Sequence, residues 1–169
     1  MRPGKNFNID DLRYGRIVIM TDADVDGAHI AALLMTYFYQ QMPGLIESGR
    51  LYIAQPPLYR LAQGGTVAYA LDDEHKDQLI ETELTGRGKI EISRFKGLGE
   101  MPPAQLKETT MSRESRRLLQ LHLPKRDMEG ADDRRQVDGW VNTLMGRKPE
   151  LRFAYIRDHA AEVMAELDI

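Results

Sequence analysis

The sequence predicts an α/β fold: a Rossmann-like parallel sheet with flanking helices, followed by a C-terminal α+β tail. Three observations predict it. Ile17-Val18-Ile19-Met20, apolar and mostly β-branched, reads as a buried strand; a helical pattern follows to about Met42; and Leu51-Tyr52-Ile53-Ala54-Gln55 reads as a second strand. Such a strand–helix–strand unit sets its strands parallel with a right-handed crossover. After Pro56-Pro57 the pattern changes to short strands and turns, and the chain closes on two amphipathic helical stretches.

In chain order, residues 1–14 are polar, contain Pro3-Gly4, and read as a connecting loop, which points to a protein that begins further upstream. A sheet built from this chain alone is expected to be thin. After Gly27 the helix is expected to carry Ile30, Leu33, Leu34, Tyr37, Phe38 and Gln41 on one apolar face and to end at Pro43-Gly44. Tyr59–Ala62 and Thr66–Ala70 read as a hairpin about Gln63-Gly64-Gly65. Asp72 to about Glu83 reads as a polar helix capped by Asp72 or Asp73, and Ile90–Phe95 as a half-exposed strand. A helix over Pro102–Thr109 opens on prolines, and Leu118–Leu123 reads as a further strand. Pro124–Asp133 is a charged linker. Val137, Trp140, Val141, Leu144 and Met145 then mark an amphipathic helix ending at Gly146. In the last helix, from near Pro149, Phe153, Ile156, Ala160, Val163 and Leu167 form a narrow heptad-like stripe. It packs either on its own domain or on a partner.

A chain of 169 residues, 42% hydrophobic and 29% charged, is globular rather than disordered. The absence of cysteine excludes disulfides and thiolate metal sites. A net charge of −3 and a pI near 5.8 argue against a uniformly basic nucleic-acid binder but leave room for a local basic patch. No N-terminal stretch resembles a signal peptide, and no apolar run reaches the roughly 18 residues of a membrane span, so no membrane partner is expected and a cytoplasmic setting is compatible.

The chemistry concentrates at Thr21-Asp22-Ala23-Asp24-Val25-Asp26-Gly27. Alternate side chains of an extended chain share a face, so Asp22, Asp24 and Asp26 are expected to point one way. Carboxylates crowded like this repel one another unless a cation sits between them, and hard oxygen ligands suit Mg²⁺ or Ca²⁺. The carboxyl end of a strand before a helix is also where open α/β sheets place ligands. A solvated turn capping a helix would explain one Asp, not three. An EF-hand shares Asp22, Asp24, Asp26 and Gly27 but needs a bidentate Glu where Leu33 stands. A dehalogenase-like phosphatase would use Asp22 as nucleophile and Asp24 as acid/base. It needs a further acidic pair at a strand end, and neither Asp72-Asp73 nor Asp132-Asp133 follows a convincing buried strand. The third reading is the metal site of Toprim domains, Asp-x-Asp after a strand.

Weaker signals surround this one. His29, in the first turn of the helix, is either structural or a phosphate or sugar contact. Arg94 and Lys96 bring charge to a turn with Gly97 and Gly99, where backbone amides could approach a phosphate. Arg113, Arg116 and Arg117 read as a solvated face more than a nucleic-acid contact.

Five blocks in order resemble the B subunit of bacterial type II topoisomerases: Thr21–Gly27; Tyr52-Ile53-Ala54-Gln55-Pro56-Pro57-Leu58-Tyr59; Arg94-Phe95-Lys96-Gly97-Leu98-Gly99-Glu100-Met101; Glu108-Thr109-Thr110-Met111; and Glu150-Leu151-Arg152-Phe153. Phe95 and Pro102-Pro103-Ala104-Gln105-Leu106 look closer to the topoisomerase IV branch than to the gyrase branch. The resemblance implies that residues 1–60 are the C-terminal half of a Toprim domain and residues 61–169 the tail region of the subunit. It implies Mg²⁺ ligands at Asp22 and Asp24, with Asp26 at the third acidic position, and DNA contacts at His29, Lys96 and Arg152, to which Arg94 is added for its charge beside the glycine loop. It further implies double-stranded DNA as substrate, and an A subunit that carries the catalytic tyrosine in a heterotetramer of two A and two B subunits. No tyrosine of this chain takes that role. ATP would be bound by an N-terminal domain that this sequence does not contain, as it does not contain the family's Glu-Gly-Asp motif. The chain alone is expected to be inactive. The alternatives from other classes are a Mg²⁺-dependent aspartyl phosphatase and a non-catalytic docking module.

Overall fold

Strand β1 (Ile17–Ile19) and strand β2 (Leu51–Ala54) pair in parallel, Ile17 opposite Leu51 and Ile19 opposite Ile53. Helix α1 (Val25–Gln41) and the short helix α2 (Pro43–Glu47) connect them, which gives the expected strand–helix–strand unit. The computed structural model describes residues 7–22, 24–125 and 130–163. Its backbone divides into two compact units, Met1–Leu121 and His122–Ile169.

In the first unit, β1 and β2 are joined by β6 (Leu118–Gln120), antiparallel to β2, so the sheet order is β1-β2-β6. The sheet is as thin as the sequence suggests, and β1 is less buried than expected. Ile19 is 4% exposed, but Val18 and Met20 are 36% and 38% exposed. Alternate residues of a strand face opposite sides, and only the Ile19 side is well covered here. Leu45 and Leu51 are fully buried and anchor this half.

The start of α1 and its buried face differ from the sequence reading. Helix α1 starts at Val25 rather than after Gly27, because the Asp24 carboxylate accepts a hydrogen bond from Gly27 N (2.7 Å) and caps it. Helix α1 ends at Gln41, just before Pro43-Gly44 as expected, and Pro43 then opens the separate helix α2, where its missing N–H has no intrahelical partner to lose. The buried positions of α1 are Gly27 and Ala31, whereas Ile30, Leu33, Leu34 and Tyr37, the expected core face, are 39–51% exposed.

The rest of the unit is a second sheet, ordered β4-β3-β5 and antiparallel throughout. Strands β3 (Tyr59–Gln63) and β4 (Thr66–Ala70) form the expected hairpin, with Gln63 opposite Thr66, and Gly64 turns at φ +59°. Helix α3 (Asp73–Thr82) is capped by Asp72, whose carboxylate accepts from His75 N at 2.8 Å. Tyr59, Leu61, Ala68, Ala70, Leu79 and Leu84 form the core between this helix and the hairpin. Strand β5 (Glu91–Arg94) pairs with β3 and is exposed along its length. Helix α4 (Pro103–Leu106) runs into a π-helical turn, Lys107–Met111, that buries Thr109 and Thr110.

The second unit contains α5 (Ala131–Met145) and α6 (Pro149–Val163). They meet through Trp140, edge-on to Tyr155 at 5.2 Å, and Tyr155 stacks on His159 at 4.1 Å. The stripe named from the sequence is not the packed face: Phe153 and Ile156 are 69% and 58% exposed, and Ala160 is half-buried. The Val163 side chain and Leu167 lie outside the described residues.

Candidate functional site

Asp22 follows the carboxyl end of β1, and the chain returns to it 76 residues later. Its Oδ1 accepts a hydrogen bond from Leu98 N at 2.8 Å, inside the loop Lys96-Gly97-Leu98-Gly99-Glu100. That approach depends on Gly97, since a Cβ there would stand 2.9 Å from the Asp22 carboxyl carbon and 3.0–3.1 Å from its oxygens. The backbone of Asp22 is crowded from the other side: a Cβ on Gly27 would run into its carbonyl group. Asp22 is thus set between a helix whose backbone leaves no room for a side chain at Gly27 and a loop where a side chain at Gly97 would displace its carboxylate. Gly99, by contrast, has open space around it.

The loop holds itself together as well. Glu100 turns back and accepts from Lys96 N at 2.8 Å, and Leu98–Glu100 form a 3-10 turn. The sequence reading gave these amides to a phosphate. Two of them, Lys96 N and Leu98 N, instead donate to carboxylates of the chain, because Glu100 and Asp22 are already within reach. The exposed Lys96 side chain remains the group able to meet an anion. Sequence reasoning missed Glu100, although an acid four residues after Lys96 across two glycines was a legible sign of a self-capped turn.

The alternation argument for three parallel carboxylates fails at Asp26. Strand β1 ends at Ile19, Asp24 is the extended N-cap, and Asp26 is already in the first turn of α1, where a period of two no longer applies. Asp22, Asp24 and Asp26 are all exposed. Among the described residues no group of three His, Asp or Glu side chains forms a ready cation cage. The donor set nevertheless fits Mg²⁺ in its usual protein mode, in which one or two carboxylates combine with phosphate oxygens and water. One oxygen each of Asp22 and Asp24 is engaged by a backbone amide, and a carboxylate has lone pairs to spare.

The other candidates are more scattered. His29 is exposed on α1. Arg94, on β5, holds its guanidinium 5.9 Å from the centre of the Tyr59 ring, whose other neighbour is Lys76 at 4.9 Å. Arg152 is on α6, in the second unit, and donates to Gly146 O at 3.4 Å. Asp72-Asp73 follows β4, which is only partly buried and is an antiparallel strand of the second sheet. Asp72 is spent on the helix cap and Asp73 accepts from Lys76 Nζ and Tyr59 Oη, so the pair supplies no second acid to Asp22.

Two family models match the chain. That of the Toprim domain covers residues 4–56, and that of the DNA gyrase B subunit carboxyl terminus covers residues 87–157. The B subunit of DNA topoisomerase 4 from Bartonella bacilliformis is 58% identical over 149 residues, 88% of this chain and 21% of that protein. The protein of the same name in Caulobacter vibrioides is 54% identical over 98% of this chain and 23% of its own length.

The chain belongs to the type II topoisomerase B-subunit family.

The gyrase side of that family is also represented, by the B subunit of DNA gyrase from Archaeoglobus fulgidus, 49% identical over 98% of this chain and 24% of its own length. The chain therefore spans about a quarter of the relatives it matches. Within this type II topoisomerase chain the Asp22–Leu98 hydrogen bond joins the two matched segments, the acidic turn of the Toprim part to the glycine loop of the gyrase-B carboxyl-terminal part. Among the described residues no helix is long and apolar enough to cross a membrane.

Proposed function

We propose that this chain is the Mg²⁺-binding and DNA-binding part of an ATP-dependent type II DNA topoisomerase, which passes one duplex through another and so relaxes or decatenates DNA. The reading rests on one observation above the rest: Asp22, at the end of β1, is held against the Lys96 loop. That contact brings a carboxylate with spare lone pairs to the loop that carries the exposed Lys96, which suits a phosphodiester met by a cation and by a lysine of the same loop.

In this reading residues 1–60 are the second half of the Toprim domain and residues 61–169 the subunit's tail. The tyrosine of an A subunit attacks a DNA phosphodiester, forming a phosphotyrosyl bond and releasing a 3′ hydroxyl. A bound Mg²⁺ would supply charge neutralisation at the leaving oxygen and an anchor for a neighbouring phosphate. Asp22 and Asp24 would hold the ion, and Asp26, two residues on in the first turn of α1, would add negative charge. Leu98 N fixes the Asp22 carboxylate, and Lys96 holds a DNA phosphate. His29, Arg94 and Arg152 make further contacts along the duplex. The A subunit completes the enzyme as a heterotetramer, ATP is handled elsewhere in the subunit, and the assembly works on the chromosome in the cytoplasm.

The test is Asp22→Asn and, separately, Asp24→Asn in the full-length subunit. These two variants should abolish Mg²⁺-dependent DNA cleavage while leaving ATP hydrolysis largely intact, and Mn²⁺ binding followed by calorimetry should weaken in step. Cleavage at wild-type rates by both variants would remove the metal reading. Labelled phosphate retained on Asp22 after incubation with a phosphomonoester would favour the phosphatase instead.

A further inference from the structure

An open cleft of about 770 Å³ lies on the first unit, lined by Gly15, Arg16, Tyr52, Arg113, Arg116 and Leu118. Arg16 precedes the amino end of β1, whereas Asp22 follows its carboxyl end, so the cleft is separate from the site above. No carboxylate lines it, and among the described residues none of its three arginines has an ion-pair partner. Three uncompensated guanidinium groups in one cleft run against the chain's overall charge of −3. Such a concentration attracts anions.

The walls are built rather than incidental. Arg16 lies over the Tyr52 ring at 5.3 Å. The Tyr52 hydroxyl accepts from Gln120 Nε2 at 3.1 Å, and the same amide nitrogen donates to Gly49 O at 2.7 Å. Gly49 makes room for it: a Cβ there would stand 2.6 Å from Gln120 Nε2, and its φ is +66°. Across the cleft, Arg113 and Arg116 flank a turn closed by Arg116 N donating to Ser112 O at 3.0 Å. One guanidinium is therefore stacked in place and two more project from a closed turn. Planar guanidinium forks match phosphate oxygens. Arg16 lies over one face of Tyr52, so that face is not open to a stacking base. The geometry points to backbone phosphates, not bases.

We propose that this cleft is a second DNA-backbone grip, reading phosphates without sequence preference and working alongside Lys96. The proposal rests on the DNA reading given above. The experiment is a salt titration of the 169-residue chain on fluorescein-labelled duplexes of two unrelated sequences, read by anisotropy. Arg113→Ala/Arg116→Ala should weaken binding to both duplexes alike and flatten the plot of log K against log salt by about 0.9 for each phosphate no longer neutralised. Arg113→Lys/Arg116→Lys should restore most of the slope, which a purely structural role of the turn would not predict. An unchanged slope in the alanine double variant, with a reduced slope in Lys96→Ala, overturns the cleft and leaves the DNA reading standing. Binding by neither the wild-type chain nor any variant overturns both. An unchanged DNA slope together with failed capture by the A subunit also overturns the grip and assigns the cleft to an acidic protein segment.

Discussion

Three glycines around Asp22 carry different consequences, and the difference lies in what a new methyl group would strike. At Gly97 it would strike the end of the Asp22 side chain, which can swing away. Gly97→Ala is therefore expected to leave the fold nearly intact, with a loss of about 1.5–3 kcal/mol at most if the hydrogen bond to the carboxylate breaks. Its main effect should be on Asp22: weaker Mn²⁺ binding by calorimetry and an upfield-shifted Leu98 amide in the proton–nitrogen spectrum. At Gly27 the methyl would strike backbone, which cannot swing, so Gly27→Ala should lower the melting temperature by the equivalent of about 1–3 kcal/mol or more. At Gly99 it would strike nothing, and φ is not positive there, so Gly99→Ala should be neutral or stabilising by about 0.4–1 kcal/mol. A melting temperature for Gly99→Ala below that of Gly27→Ala would refute this ordering. Sequence alone singled out Gly97 and Gly99 as a pair. Only the fold separates them, because the partner that makes Gly97 necessary is 75 positions away, at Asp22.

Among the elements, those formed by local rules were legible. The hairpin about Gly64, the cap of α3 by Asp72 and the parallel pairing of β1 with β2 all follow from short-range signals, and all are present. The burial of helix faces was not legible. On α1 the stripe Ile30, Leu33, Leu34 and Tyr37 is as apolar as a core face, yet the helix buries Gly27 and Ala31, whose small side chains allow close approach. The same holds for α6, where Tyr155 and His159 make the contacts while Phe153 and Ile156 stay exposed. This yields a contrast. Phe153→Asp and Ile156→Asp should each leave stability within about 0.5 kcal/mol, as surface substitutions do, and reduce capture of the chain by the A subunit. Trp140→Ala should cost about 0.5–1.5 kcal/mol from the broken aromatic pair, plus its buried area, and show directly in thermal melting. A large stability loss with Ile156→Asp would make that stripe core after all. On α3 a pH effect is expected. Lys76 first, then Tyr59, holds the Asp73 carboxyl below its ordinary range. A depressed carboxylate contributes stability that is present at neutral pH and lost as pH falls through its folded value. Asp73→Asn should therefore lower stability at neutral pH and flatten the acid limb, its difference from the unsubstituted chain vanishing as pH falls through the folded value of Asp73.

At the scale of the whole molecule, the proposed reading makes the functional parts of this chain contributions to a larger apparatus. The described residues offer two carboxylates suited to a cation and one lysine-bearing loop, with DNA and an A subunit's tyrosine to be supplied from outside in the reading proposed. The 169-residue chain alone is therefore expected to show no relaxation of supercoiled plasmid and no ATP hydrolysis, and to bind Mg²⁺ weakly, since most of the ion's coordination sphere would be water. Robust relaxation by the purified chain would contradict this. The acidic turn and the glycine loop were each legible as candidates from their own residues. Their meeting was not, because nothing local in either segment specifies that Leu98 N should find Asp22.

The hydrogen bond between those two segments encloses the entire second sheet. Closing a loop carries an entropic penalty that grows only with the logarithm of its length, about 0.6 kcal/mol for each doubling. Once the ends are held together by Gly27, Gly97 and the strand pairing, the enclosed segment is nearly free to change in size. Homologous chains could lengthen β3 and β4, extend the turn at Gly64-Gly65, or carry an insertion there, with almost no change in how firmly Asp22 is set. The tolerance has a kinetic counterpart: a contact of such long sequence separation forms late, so the site should be among the last features to appear as the chain folds.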